Sequence, residues 1–185
     1  MNALISLQKL GNYVSLRQGL AINTATAHLI RDKYSDLFCL PLLRIADMMS
    51  GSYSKYISRD VQQSVKASPD DIIYTRTGQI GLAFMGQSGV VHNNSFIVDI
   101  VSDGIDKKYL FAVLQSHFVR NQALDLAKNS VQPDLTHDMF KSIVIPVPDI
   151  DEQKRIAAIY FSLANAIKYN HSINDNLACY ASTVA

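Results

Sequence analysis

A proline-punctuated strand running straight into a long, heptad-patterned helix constrains this chain more than any other feature. Ile143-Val144-Ile145-Pro146-Val147-Pro148 leads into Asp149-Ile150-Asp151-Glu152-Gln153-Lys154-Arg155-Ile156. Proline lacks the N–H that a strand ladder uses and holds its neighbour extended, so the pair marks a sharp boundary. Asp149 with Glu152 three residues on has the form of a helix capping box, with Asp in place of Ser or Thr. With Ile156 at heptad position a, the a positions are Ile156, Leu163, Asn170, Leu177 and Val184, and the d positions are Ile159, Ala166, Ile173 and Tyr180. Seven of these nine seam positions are large and apolar. Four heptads of this kind are a coiled-coil signal, and a lone Asn at a trades stability for register or partner choice. At 1.5 Å per residue, a helix from 151 to 184 extends about 50 Å. The pattern fits an intermolecular coiled coil through Ile156, Ile159, Leu163, Asn170, Ile173 and Leu177. It also fits an amphipathic helix lying back on its own domain.

The residues before this junction read as strands with few helices. Residues 4–19 hold a short strand leading to a polar stretch, and residues 28–33 begin a helical turn. A strand is expected over 39–48, where Pro41 favours an edge or a strand start. Residues 71–75 and 80–85 flank a Gly-containing turn and read as a hairpin. Residues 89–100 alternate as one strand, with Phe96 and Val98 on one face. Residues 106–128 read as one helix, capped by Asp103 or Asp106, with an apolar stripe through Tyr109, Leu110, Val113, Leu114, Phe118 and Leu124. A turn at Gln132-Pro133-Asp134 leads to a helical step and the strand over 142–147. The class is therefore α+β, with a globular mixed part over 1–148 and a coiled-coil-type helix over 149–185.

Composition sets limits. The chain has 185 residues, 48% of them hydrophobic, enough for one packed domain plus an appendage and against disorder. Cys39 and Cys179 are far apart, as expected of unpaired thiols in a reducing cytoplasm. No secretory segment and no apolar run of membrane-spanning length is seen, so a soluble, cytoplasmic protein without a membrane partner is expected. The five histidines, His28, His92, His117, His137 and His171, have no metal-ligand spacing. Walker A, G-x-S-x-G and dinucleotide-binding glycine patterns are missing, as are a methyl-donor loop and an Asn/Asp-Pro-Pro-aromatic motif. Gly78 and Gly81 are explained by turns needing positive φ. No catalytic residue, metal or cofactor is expected.

Four stretches in order resemble one family. Pro146-Val147-Pro148-Asp149-Ile150-Asp151-Glu152-Gln153-Lys154-Arg155-Ile156 is similar to the "P-x-P-x-x-E-Q-x-x-I" junction of type I restriction-modification DNA specificity subunits. Pro69-Asp70-Asp71-Ile72-Ile73-Tyr74-Thr75-Arg76-Thr77-Gly78-Gln79-Ile80-Gly81 resembles the family's "G-D-I-L-x-T-R-x-G-x-x-G" hairpin, with Asp70 at the usual Gly. Ser130-Val131-Gln132-Pro133-Asp134-Leu135 resembles its "x-Q-x-N-L" turn, with Asp134 at the usual Asn, and Lys9-Leu10-Gly11 with Gly19 echoes its opening. Specificity subunits typically carry two recognition domains and two such helices; this sequence has one of each, so the resemblance implies half a specificity subunit. It also implies double-stranded DNA and a modification (methyltransferase) subunit as partners, with a motor/restriction subunit reached indirectly. Catalysis would come from those other chains.

Seventeen Lys and Arg face sixteen Asp and Glu, so a DNA reader of this composition must gather its cations on one face or rely on a partner. Lys55, Arg59 and Lys66, against Asp60 and interleaved with Tyr53 and Tyr56, are the candidates for phosphate contacts and for reading near residues 50–66. The hairpin tip with Thr75, Arg76 and Gln79 is a further candidate, since Arg can grip guanine and Gln adenine by paired hydrogen bonds. Arg76 is equally suited to a phosphate or structural role. A single helix implies a homodimer or pairing with another half-subunit, and two-fold symmetry implies a palindromic, interrupted target. The rivals are a non-DNA adaptor using the helix and a small enzyme with an unrecognised site, which would show a pocket of clustered titratable groups.

Overall fold

The computed structural model describes residues 6–35, 37–128 and 133–184, with side chains of the last helix described to Leu177. The expected turn residues Ser130, Val131 and Gln132, and the side chains of the seam positions Tyr180 and Val184, lie outside the described residues. In chain order the strands are β1 (Ser6–Lys9), β2 (Val14–Gln18), β3 (Ile30–Arg31), β4 (Cys39–Leu43), β5 (Tyr56–Ser58), β6 (Lys66–Ala67), β7 (Ile72–Thr75), β8 (Ala83–Phe84), β9 (Gly89–Val91), β10 (Ser95–Ile100) and β11 (Val144–Val147). The helices are α1 (Ile45–Ser50), α2 (Lys107–Leu114), α3 (His117–Ala127), α4 (His137–Ser142) and α5 (Ile150–Val184). Strands and helices segregate, so the class is α+β as expected.

The strands make a four-stranded sheet ordered β2-β10-β7-β8, a five-stranded sheet ordered β3-β5-β4-β9-β6, and a β1-β11 ribbon. The period-2 alternation of β7 and β10 decides the layering. Ile72, Tyr74, Phe96 and Val98 point into the larger core, which α2, α3, α4 and the root of α5 complete. Ile73 and Ile97 point the other way, against Leu43, Ala67 and Val91 of the five-stranded sheet. β7 and β10 are thus buried on both faces. In the larger core Tyr74, Phe96 and Phe140 meet at centroid distances of 4.8–6.0 Å. Each such aromatic pair adds about 0.5–1.5 kcal/mol beyond its buried area.

Several sequence expectations need correction, each for a local reason. The single helix over 106–128 is two. It breaks at Ser116, whose backbone is extended and whose hydroxyl accepts from Val119 N–H to start α3. The apolar stripe alone does not register a serine that competes with the helix ladder. Of the two proposed caps, Asp106 is the one in place, accepting from Tyr109 N–H at 2.9 Å. The strand over 39–48 stops at Leu43 and becomes α1, which ends on Gly51 at φ +69°. Pro41 does not put β4 at an edge: β4 is central, and its pairing with β9 starts only after the proline, at Leu42. Residues 89–100 are two strands separated at His92–Asn94, and the opening residues hold two strands rather than one. The hairpin β7–β8, the helical step α4 and the strand β11 stand where expected.

At the junction, Asp149 accepts from Glu152 N–H at 2.9 Å and so caps α5. The reciprocal half of the box is replaced by an ion pair between Glu152 and Arg155. Gln153, 1% exposed, is the joint. Its amide donates to the carbonyls of Gly104 and Pro148 and accepts from Asp106 N–H, at 2.8–3.0 Å. Ala157 is buried beside it, and Tyr160 and Phe161 pack against Phe111 of α2. From residue 165 to 177 every side chain of α5 is exposed.

Candidate nucleic-acid interface

The proposed reading residues of 50–66 do not form one patch. Tyr56 opens β5 and Lys55 and Arg59 flank it, next to the β3 edge of the five-stranded sheet, whereas Lys66 lies in β6, the opposite edge. Three strand spacings separate β5 from β6, roughly 14 Å at about 4.8 Å each. Lys66 borders a different cleft, where Arg17 binds its backbone carbonyl and that of Ser64 while pairing with Asp99. The hydrogen bond to Asp99 raises the Arg17 pKa, so this cation acts as a fixed tie between the sheets. Tyr53 donates to Gln87 Oε1 at 2.6 Å and is half-buried.

The β3–β5 side is a different surface. Tyr56 packs on Tyr34 at 5.2 Å, and its hydroxyl donates to the Tyr53 carbonyl. Lys55 is paired with Asp32, whose pKa is lowered by that hydrogen bond. Beside them a groove of about 620 Å³ is lined by Arg31, Lys33, Tyr34, Phe38 and Arg59, with Asp60 as its carboxylate among the described residues. Lys33 and Arg59 have no ion-pair partner among the described residues. Sequence reasoning missed Arg31, Lys33, Tyr34 and Phe38. Their signal is the same interleaving of cations and aromatics as over residues 53–59, placed earlier in the chain, before β4. At the start of α1, Arg44 hydrogen-bonds Asp47 and holds its buried carboxyl below the ordinary carboxylate range.

The hairpin tip is built inward. Thr75 is fully buried; its hydroxyl donates to the Gln79 carbonyl and accepts from Leu82 N–H. Arg76 pairs with Asp134, and Leu135 N–H donates to the Arg76 carbonyl. The second and third sequence motifs therefore meet in space. Gly78 and Gly81 have φ of +72° and +88°, as the turn reading required, and a Cβ on Gly81 would lie 2.7 Å from Arg120 Cγ. Gln79 is exposed at the tip. The opening motif is a joint as well: Leu10 N–H donates to the Ile143 carbonyl, and a Cβ on Gly19 would sit 2.3 Å from the His92 carbonyl oxygen. Among the described residues no group of three or more His, Cys, Asp or Glu is placed to hold a metal ion, and no helix is long and apolar enough to cross a membrane.

The seam residues of α5 point away from its root. At 100° per residue, Ile159, Leu163, Asn170, Ile173 and Leu177 centre roughly 100–150° from the direction of Gln153 and Ala157. Ile159 is 56% exposed, Leu163 60% and Leu177 61%, while Ile156 is half-buried where the two faces meet.

A family model described as "Type I restriction modification DNA specificity domain" matches residues 9–178. The MjaVIII specificity subunit of Methanocaldococcus jannaschii is 25% identical over 129 residues, covering 69% of this chain and 29% of that protein. The EcoBI specificity subunit of Escherichia coli is 22% identical over 120 residues, covering 64% of this chain and 25% of that protein. Among solved structures, the HsdS subunit from Thermoanaerobacter tengcongensis superposes with a TM-score of 0.64 at 16% identity, over 91% of this chain and 39% of that one. The S subunit from M. genitalium does so with 0.61 at 14%, over 95% and 45%. The chain thus spans less than a third of the length of these curated relatives and less than half of these solved chains.

Proposed function

The chain belongs to the type I restriction-modification DNA specificity domain family, and on that premise we propose that it reads one half of an interrupted double-stranded DNA target. Residues 1–148 are the recognition part and 149–185 the spacer. It is non-catalytic and works in the cytoplasm, docking a modification subunit that supplies the methyl transfer, with a motor/restriction subunit joining through that assembly. Lys55 and Arg59 sit on phosphates at the β3–β5 side, Tyr53 and Tyr56 shape that surface, Gln79 contacts DNA from the hairpin tip, and Lys66 does so from the opposite edge of the five-stranded sheet. Thr75 and Arg76 act by holding the hairpin, since one is buried and the other is paired to Asp134.

The exposed seam of α5 carries this reading. A helix firmly bonded at its root yet apolar along an open face calls for a second helix. A two-fold antiparallel pair lines up a positions with d positions when their numbers sum to 336, centred on 168. Ile159 then faces Leu177, Leu163 faces Ile173, and the polar Asn170 faces the small Ala166, which leaves room for the amide. Such a pair sets two recognition parts tens of ångströms apart, which suits half-sites about 34 Å or more apart on a palindromic target.

Light scattering and DNA anisotropy test the proposal. The expected results are a dimer that becomes a folded monomer on Leu163→Glu/Leu177→Glu, and duplex binding that weakens steeply with salt. A double variant that stays dimeric refutes the seam. Dimerisation without any duplex binding at low salt would favour an adaptor instead.

A further inference from the structure

Leu37 and Phe38 are the anomaly of the globular part. They are 79% and 70% exposed, and Tyr34 beside them is 53% exposed. Two adjacent large apolar side chains left in water forgo available burial, which marks a surface made for contact. Their mount is hydrogen-bonded to β5 and to the preceding turn. Phe38 and Cys39 N–H both donate to the Ser35 carbonyl, and the Phe38 carbonyl accepts from Arg59 N–H at 2.9 Å. Cys39 is buried at the foot and pairs with Ser58 in the β4–β5 ladder. Phe38 therefore stands at the hydrogen-bonded entry to β4, with Leu37 in the turn just before it.

Their neighbours state the partner's charge. Arg31, Lys33 and Arg59 line the same groove, against Asp60, and the Arg31 guanidinium is fixed by the carbonyls of His28 and Ile30. Cations around an exposed apolar tip suit a polyanion whose interior is apolar, which describes stacked bases between phosphate strands. Wedges of Phe and Leu enter base steps in this way and kink the duplex.

We infer that Phe38, with Leu37 beside it, is an apolar wedge that stacks into a base step of duplex DNA while Arg31, Lys33 and Arg59 hold the flanking phosphates. This rests on the DNA-reading proposal above. It adds a stacking contact and a local distortion of the duplex to the hydrogen bonds by which bases are ordinarily read.

The chain has no tryptophan, so Phe38→Trp introduces a single reporter. The full chain is used to enrich binding duplexes from a pool with random 30-base-pair inserts, at 50 mM KCl. On that enriched pool the Phe38→Trp emission is expected to be quenched by half or more, while a Phe118→Trp control is unchanged. Leu37→Ala/Phe38→Ala is expected to weaken binding about tenfold with the salt slope retained, as for loss of a stacked base. Arg59→Ala should instead reduce that slope by about one. Tight duplex binding with an unquenched Phe38→Trp overturns the wedge and leaves DNA reading intact. No enrichment of any duplex overturns DNA reading itself. Quenching or shift of Phe38→Trp only on adding a purified modification subunit overturns the wedge in favour of a protein contact.

Discussion

Replacing Gln153 with Leu should unseat the long helix from the domain. The change keeps approximate size and removes an amide that makes three hydrogen bonds at 2.8–3.0 Å inside a site 1% exposed. Two carbonyls and one N–H surround it, so only one orientation of the amide satisfies all three. At a net value of about 1 kcal/mol per bond, the expected loss is about 3 kcal/mol, and slightly less if water re-enters at Gly104 or Asp106. For a chain of this size that lowers Tm by roughly 6–12 °C, since each kcal/mol shifts it about 2–4 °C. Calorimetry and denaturant unfolding measure it directly. Gln153→Glu sharpens the test, because a carboxylate can accept from Asp106 N–H but faces two carbonyls with no proton to give. Burial and those carbonyls raise its folded-state pKa above the unfolded value. Gln153→Glu should therefore be the weaker variant at pH 7 and recover stability as pH falls through that raised value. A loss below about 1 kcal/mol for Gln153→Leu, or a Gln153→Glu protein indifferent to pH between 7 and 5, would refute the joint.

Three further outcomes follow from other contacts. Asp47, held below its ordinary pKa first by the hydrogen bond from Arg44, contributes stability that is present above the unfolded value and is lost as pH falls through the folded one. Asp47→Asn should cost about 1 kcal/mol at pH 7, allowing for the partial exposure of Arg44, and flatten the acid limb of a stability–pH curve; an unchanged limb would assign the acid sensitivity elsewhere. Gly19→Ala places a Cβ 2.3 Å from the His92 carbonyl oxygen, so the crossing where Leu20 bridges His92 must shift, at about 2–3 kcal/mol by thermal unfolding. A fully stable alanine variant would refute the close approach of Gly19 to the His92 carbonyl. Arg76→Ala strips Asp134 of its guanidinium partner and should lower Tm rather than change the salt slope of DNA binding; a changed slope with unchanged Tm would place Arg76 on a phosphate.

The sequence by itself determined the local features whose cause is local. The two prolines and Asp149 define where α5 starts because capping and the missing proline N–H act within a few residues. Heptad spacing placed Ile159, Leu163, Ile173 and Leu177 on one face of α5, where they are exposed, and the glycines at 78 and 81 foretold a turn with positive φ. The four motifs revealed the family, yet what each does came only from tertiary structure. Gln153 is a buried joint, Thr75 and Arg76 lock a turn against Asp134, and Gly19 admits a neighbouring strand. The bonds of Thr75 to the Gln79 carbonyl and of Gln153 to the Pro148 carbonyl are local, but the contacts of Gln153 with Gly104 and Asp106, of Arg76 with Asp134 and of Gly19 with His92 join residues far apart in sequence. The split of residues 106–128 turned on one serine that the helical period cannot weigh. The scattering of Lys66 away from Arg59 turned on strand order, which the long-range pairing of β4 and β9 between β5 and β6 sets. The exposure of Leu37 and Phe38 was decided the same way. Apolar side chains read as core until the sheet beneath them is complete, and only the finished packing shows which ones the core left outside.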